Sequence, residues 1–402
     1  MLDSLVLNIP FKSKHLKWLG DNTKTPQAYI PLETLPNCIK TQGNIVTLSD
    51  GTKIIEEEKT IFESLPSSHT GMAFKIFERG RNCDPYVMLK CSPSKLLQGH
   101  NLYGFDDMRK GARNMLFLLA ETYPDVFEML DYKNTKVSEL DLNYSIFIDT
   151  PVSKRLFMDH LRYISRGQTK NRGDNYETTV YFGSKKSRHK SLKVYSKLEE
   201  LEQEIQKCKR KGYLESAKLN EALKKTDRAK QAVRFEATIK SVYLDRRAIP
   251  TNLFQFCDYF EANPWAYTAL FNDAWKDIFK TLSGQELKRM NDVSVFEALR
   301  KTHETINNNT GRISIIKVNR LFAVYQTIKS LGFEHVKKNS SSSTFSRNIL
   351  DIVAAGISES VLQNLKKDDG AQIIPISKIL IFDFSNQVPS NYKIPPDLYG
   401  LA

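Results

Sequence analysis

Three stretches of this chain alternate apolar and polar residues with a period of two: VSELDLNYSIFID (137–149), SLKVYSK (191–197) and RFEATIK (234–240). That period belongs to strands with one face in a core, because successive side chains point to opposite faces. Leu140, Leu142, Tyr144 and Ile146 then face inward, leaving Asp141, Asn143 and Ser145 outside. In the last strand Val233, Phe235, Ala237 and Ile239 are the core set, opposed by Arg234, Glu236, Thr238 and Lys240. Leu192 and Val194 point inward while Lys193, Tyr195 and Lys197 point outward. Placed in one sheet, these strands predict an open polar face carrying Asp141, Tyr195 and Glu236, ringed by Lys193, Lys197, Arg234 and Lys240.

That set has a chemical reading. Two carboxylates, Asp141 and Glu236, suit a hard divalent cation such as Mg²⁺ or Mn²⁺, which prefers oxygen ligands. The cation would offset charge developing on a phosphate. A tyrosine hydroxyl with a free pKa of ~10 needs activation before it attacks anything, and Lys197 on the same predicted face could lower it. The same residues also fit an ordinary solvated surface, since tyrosine is common in strands and exposed ion pairs are frequent. Parity leaves both readings open.

Along the rest of the chain, Leu5, Leu7 and Ile9 suggest an opening strand, and residues 22–60 read as polar and irregular. Residues 71–91 read as a hairpin, 106–130 as helices divided at Pro124, and 151–165 as a helix. YETTVYF (176–182) and the strand holding Tyr195 form a second hairpin around the loop 183–190. The segment 198–232 reads as one densely charged helical stretch. After Pro250 helical patterns dominate, with KNSSSST (338–344) as a flexible link. The expected architecture is α+β: an antiparallel-sheet domain over 1–245 with flanking helices, then a mainly helical domain over 246–402.

Lys and Arg outnumber Asp and Glu by 59 to 46, a net charge of +13, which points to a polyanionic partner or to a basic surface with no such role. Lys185, Lys186, Arg188 and Lys190 crowd the loop before Tyr195 and are candidate DNA contacts, with His189, Lys193 and Arg234. The lysines of 198–232 alternate with glutamates and read as a salt-bridged solvent face. Five scattered cysteines suggest free thiols in a reducing compartment, with neither a disulfide frame nor a zinc site. The N-terminus lacks the pattern of a signal peptide and no stretch reads as a membrane span, so a cytoplasmic location is expected.

The segments 62–77 (FESLPSSHTGMAFKIF), 91–101 (CSPSKLLQGHN), 167–170 (GQTK), 187–205 (SRHKSLKVYSKLEELEQEI), 233–240 (VRFEATIK) and 346–365 resemble the gene II replication initiator family of filamentous phages. The likeness runs in order along nearly the whole chain, with residues 10–60 matching poorly. The Y-x-K and R-x-E strands are also similar to plasmid rolling-circle initiators. The resemblance implies a nickase and strand-transferase whose tyrosine, at the position of Tyr195, attacks the plus-strand origin of double-stranded replicative DNA. The products are a 5′-phosphotyrosyl link and a 3′-OH for host polymerase, working with a host helicase. The displaced single strand is later rejoined into a circle in the host cytoplasm, with Mg²⁺ required. The family also makes a nested product, for which Met290 stands as the start. Many rolling-circle nucleases use a His-hydrophobic-His metal motif that this sequence lacks. Asp141 and Glu236 are therefore the first metal candidates, with Glu177 and His189 in reserve. Only one tyrosine lies in the Y-x-K motif, so termination calls for a second subunit of a homo-oligomer on DNA, another nucleophile, or release and reuse of Tyr195. The other readings are a non-catalytic DNA-binding control protein and a plasmid or conjugative relaxase.

Overall fold

The alternating stretches do become adjacent strands. The computed structural model describes residues 2–19, 27–50, 52–79, 84–162, 164, 169, 178–184, 186–282, 292–306, 313–365 and 384–398. Its main sheet has β1 (Leu2–Pro10), β2 (Glu63–Pro66), β3 (Gly71–Phe77), β4 (Tyr86–Cys91), β5 (Lys136–Phe147), β6 (Thr179–Phe182), β7 (Lys190–Ser196) and β8 (Ala232–Lys240). They run in the order β6-β7-β8-β5-β1-β4-β3-β2, every neighbouring pair antiparallel. Register sets Tyr195 opposite Arg234, Lys193 opposite Glu236, Glu236 opposite Asn143 and Thr238 opposite Asp141.

The predicted inward residues form the core face, covered by the helices Met108–Thr122, Leu253–Ala262 and Ala266–Leu282. Trp275 is fully buried with its ring 5.0 Å from that of Phe235, and Phe271 meets Tyr144 edge-on at 4.7 Å. Such tilted contacts suit aromatic quadrupoles. The core includes every buried apolar residue of 253–282. The expected boundary at 245 therefore falls inside one packed unit, because these helices bury their apolar stripes on the sheet. A separate core, built from Val295, Leu321, Tyr325, Ile352 and their neighbours, serves the helices of 292–365. Residues 384–398 return to the first unit, where Gln387 exchanges hydrogen bonds with the Ser145 backbone (2.8 and 3.1 Å).

The polar face is not open. The helix Pro93–Gln98 ends at Gly99, whose φ of 78° is the left-handed turn glycine allows cheaply. The chain then lays Asn101 and Leu102 against β8, where both backbone carbonyls accept from Arg234. From the other side comes the helix Lys197–Arg210, so Lys197 opens a helix rather than continuing a strand.

Three further expectations change. Residues 41–60 form a hairpin, Thr41–Thr47 with Lys53–Thr60, its apolar residues paired (Ile45-Val46, Ile54-Ile55) rather than alternating, which hid it. The stretch 198–232 is three helices, Lys197–Arg210, Leu214–Lys224 and Asp227–Gln231, the first break marked by Gly212 at φ 82°. The serines of 338–344 join helices Phe333–Lys338 and Ser342–Ala354 directly, with Ser341 at the N-cap position serine favours.

Candidate active site

Tyr195 sits on the floor of a cleft of about 790 Å³ that opens onto the polar face of β8, β5 and β1. Its hydroxyl donates to Glu236 Oε2 at 3.2 Å. The other Glu236 oxygen is paired with Lys193 Nζ at 2.8 Å, and that ammonium also lies 5.0 Å from the centre of the Tyr195 ring. Burial, then the Glu236 carboxylate, hold the phenol well above its usual pKa, while Arg234 pulls the other way. The tyrosine is thus a protonated hydroxyl aimed at a carboxylate.

Glu236 is raised above its usual pKa by its own burial, which Lys193 opposes. Asp141, two strand positions away in register, is raised further by burial and by the Glu236 charge. A third carboxylate, Asp3, completes the cluster and was missed in the sequence. Asn101 Nδ2 donates to it at 2.6 Å, while Asn101 Oδ1 accepts from Lys197 at 2.7 Å.

The basic residues divide. Lys193 lines the cleft. Lys197 is fully buried, bonded to Asn101 and Glu200, and burial brings its ammonium down to about 8 against the pull of Glu200. It is not hydrogen-bonded to Tyr195, so the cation across the strand from the phenol is Arg234, not Lys197. Arg234, expected to contact DNA, is fully buried on the Asn101 and Leu102 carbonyls, which removes it from reach of a phosphate. The loop 183–190 stands at the far end of β7, five residues and about 17 Å from Tyr195. Lys190 there turns to the core face, its ammonium donating to the Ala274 carbonyl. Lys186 and Arg188 stand at that far end, and His189 does not line the cleft. Glu177, Lys185 and Met290 lie outside the described residues.

The cleft collects residues from the segments 62–77, 91–101, 187–205 and 233–240, which are distant in sequence. Residues 1–258 match the family model for the N-terminal part of the phage replication-associated protein, the gene II product, and residues 307–397 match that for its C-terminal part. The replication-associated protein of Salmonella phage IKe is 30% identical, with 100% of this chain and 98% of that protein aligned. The replication-associated protein of Enterobacteria phage M13 is 31% identical over 98% of this chain and 99% of its own length. This chain belongs to the gene II replication-associated protein family.

Whether this family member could hold a divalent cation turns on its donors. Asp141 Oδ1 is buried without a hydrogen-bond partner, and burial, then the charges of Glu236 and Asp3, raise its pKa, which a cation would relieve. Asp3 itself is held low against its burial by Arg234 and Lys197. The donors fit a hard cation in kind. They do not form a closed shell, since no three His, Cys, Asp or Glu side chains are grouped to hold a metal among the described residues. No helix among them is long and apolar enough to cross a membrane.

His100 borders the same network, edge-on to Tyr103 with its Nδ1 unpartnered, and burial, then Lys197 and Arg234, bring it down to about 3. A depressed folded pKa means the unfolded chain takes up the proton first, so stability falls as pH drops below about 6.5. At about 1.4 kcal/mol per unit, this histidine alone withdraws up to about 5 kcal/mol by pH 3. His100→Phe keeps the ring contact and removes the titration. Its urea midpoint should fall less than the wild type's between pH 7 and pH 4, and an equal fall in both rules out this origin.

Proposed function

We propose that this protein nicks the plus strand at a double-stranded phage origin to start rolling-circle replication, and later rejoins the displaced single strand. The observation that carries this reading is the Tyr195 hydroxyl donating to Glu236 on the floor of a cleft lined by both lysines and carboxylates. Tyr195 Oη attacks the phosphorus as its proton passes to Glu236. The bond from phosphorus to the 3′ oxygen breaks, and that oxygen takes a proton from water. What results is a phosphotyrosyl link on the 5′ side and a free 3′-OH, the end a host polymerase would extend behind a host helicase in the host cytoplasm. Joining is the reverse: a 3′-OH attacks the phosphotyrosine, and the released phenolate recovers its proton from Glu236. No nucleotide cofactor is consumed, because the phosphotyrosyl bond conserves the phosphodiester.

Burial favours the protonated form of Glu236, and the Lys193 ammonium at 2.8 Å opposes it, favouring the ionised form that can accept a proton. Arg234 faces the phenolate that forms. A divalent cation, Mg²⁺ or Mn²⁺, held by Asp141 and Asp3 would supply Lewis-acid stabilisation of the phosphate charge. Phe62, 60% exposed at the rim, offers a ring on which a base can stack. Termination would use a second subunit on the DNA, another nucleophile, or Tyr195 again after its release.

The reading is tested by mixing the protein with supercoiled origin DNA and Mg²⁺. Nicked circles and a detergent-stable protein–DNA adduct are expected, with the nucleotide remnant on the peptide containing Tyr195. Binding without nicking would make it a non-catalytic control protein.

A further inference from the structure

On the far side of Tyr195 lies a second cleft, larger than the first at about 1170 Å³. Thr178, Ser196 and Gln203 line both, so the two meet beside the nucleophile. At that pass Lys154 Nζ is buried, donating to Ser196 Oγ at 2.9 Å and to the Lys230 carbonyl at 3.0 Å. Ser196 occupies the N-cap position of the helix Lys197–Arg210, yet its side chain makes no cap bond. Six cations line the second cleft, against three carboxylates. Lys209 and Lys224 are spent on Glu221 and Glu202, each at 2.6 Å, as a salt-bridged face would have them. Arg155 and Lys225 are exposed and have no ion-pair partner among the described residues. Leu198, Met158 and Ile205 give the cleft an apolar lining beneath those charges.

We propose that this second cleft is a single-stranded DNA track, which carries the strand leading away from Tyr195. A groove with excess positive charge over an apolar lining grips backbone phosphates while tolerating any base. Its junction with the first cleft at Ser196 lets one continuous strand occupy both, with the reacting phosphate between them. The inference rests on Tyr195 as the nucleophile for its meaning, but its test reads binding alone.

Arg155→Gln combined with Lys225→Gln removes these two exposed charges. Binding is followed by anisotropy, without divalent metal, using a labelled thymidine homopolymer of about 20 nucleotides and a duplex of about 20 base pairs. The double variant should bind the homopolymer about tenfold more weakly. Its log K against log salt slope should flatten by about 1.4, the value for two fewer neutralised phosphates on a single strand. Duplex binding should change less. Unchanged homopolymer affinity, or a duplex loss as large as the single-strand loss, overturns the track. Mapping the covalent adduct to another residue overturns the nucleophile instead and leaves this measurement standing.

Discussion

Tyr195→Phe should form no covalent DNA adduct and should lose nicking by at least on the order of 10⁴-fold, the scale on which enzymes respond to losing a nucleophile. It should still fold and still bind origin DNA. The hydroxyl donates to Glu236, whose other oxygen remains paired with Lys193. The ring keeps its place under the Lys193 ammonium. Removing the hydroxyl from this buried carboxylate costs about 1 to 3 kcal/mol of stability. Measuring melting temperature, origin affinity and adduct yield on one preparation separates chemistry from folding. A phenylalanine variant that still nicks and still forms the adduct would end the assignment of Tyr195. If wild type and variant are equally unable to nick, the protein acts by binding alone.

Strand parity made much of the sheet legible. The sequence patterns of β5, β7 and β8 sorted inward from outward residues, and Tyr195, Glu236, Lys193 and Asp141 do share one cleft. Parity is silent on what lies above a face. Nothing in the alternation signals that the turn after Gly99 covers Arg234, so a buried arginine bonded to two carbonyls looked like a DNA contact. Nor does a period of two tell where a strand stops. Lys197 continues the alternation on paper, but the chain turns helical at that residue and takes its ammonium to Asn101 and Glu200.

Asp3 was hidden for a more specific reason. By simple alternation it shares the face of Leu5, Leu7 and Ile9, which is the core. Pairing between β1 and β5 shifts register between Leu2 and Ser4, as a bulge does. That extra residue re-aims Asp3 into the cleft beside Asp141, the use to which bulges near functional sites are put. The loop 183–190 shows the opposite error. Nearness in sequence suggested nearness in space, but a strand carries its two ends apart at about 3.3 Å per residue.

Glu236→Gln tests whether Glu236 accepts the tyrosine proton or binds metal. The amide has nearly the same shape, and its oxygen can still accept from Lys193 or Tyr195, so the cleft should survive. What it cannot do is take up the proton, and general-base catalysis is worth about 10² to 10⁴ in rate. The wild-type rate should climb as pH rises through the elevated Glu236 pKa, since only the ionised form accepts a proton. That limb should vanish in the variant. Stability moves in the opposite sense: a carboxyl whose folded pKa is raised stabilises at low pH, and that contribution is lost as pH rises through the folded value. The variant should therefore gain on the wild type in melting temperature with increasing pH. Raising Mn²⁺ decides between the roles. A missing metal ligand is compensated at high metal concentration, whereas a missing proton acceptor is not. Recovery of nicking in Glu236→Gln at saturating Mn²⁺ would move Glu236 from the base to the metal shell, leaving Tyr195 without the proton acceptor the 3.2 Å hydrogen bond gives it.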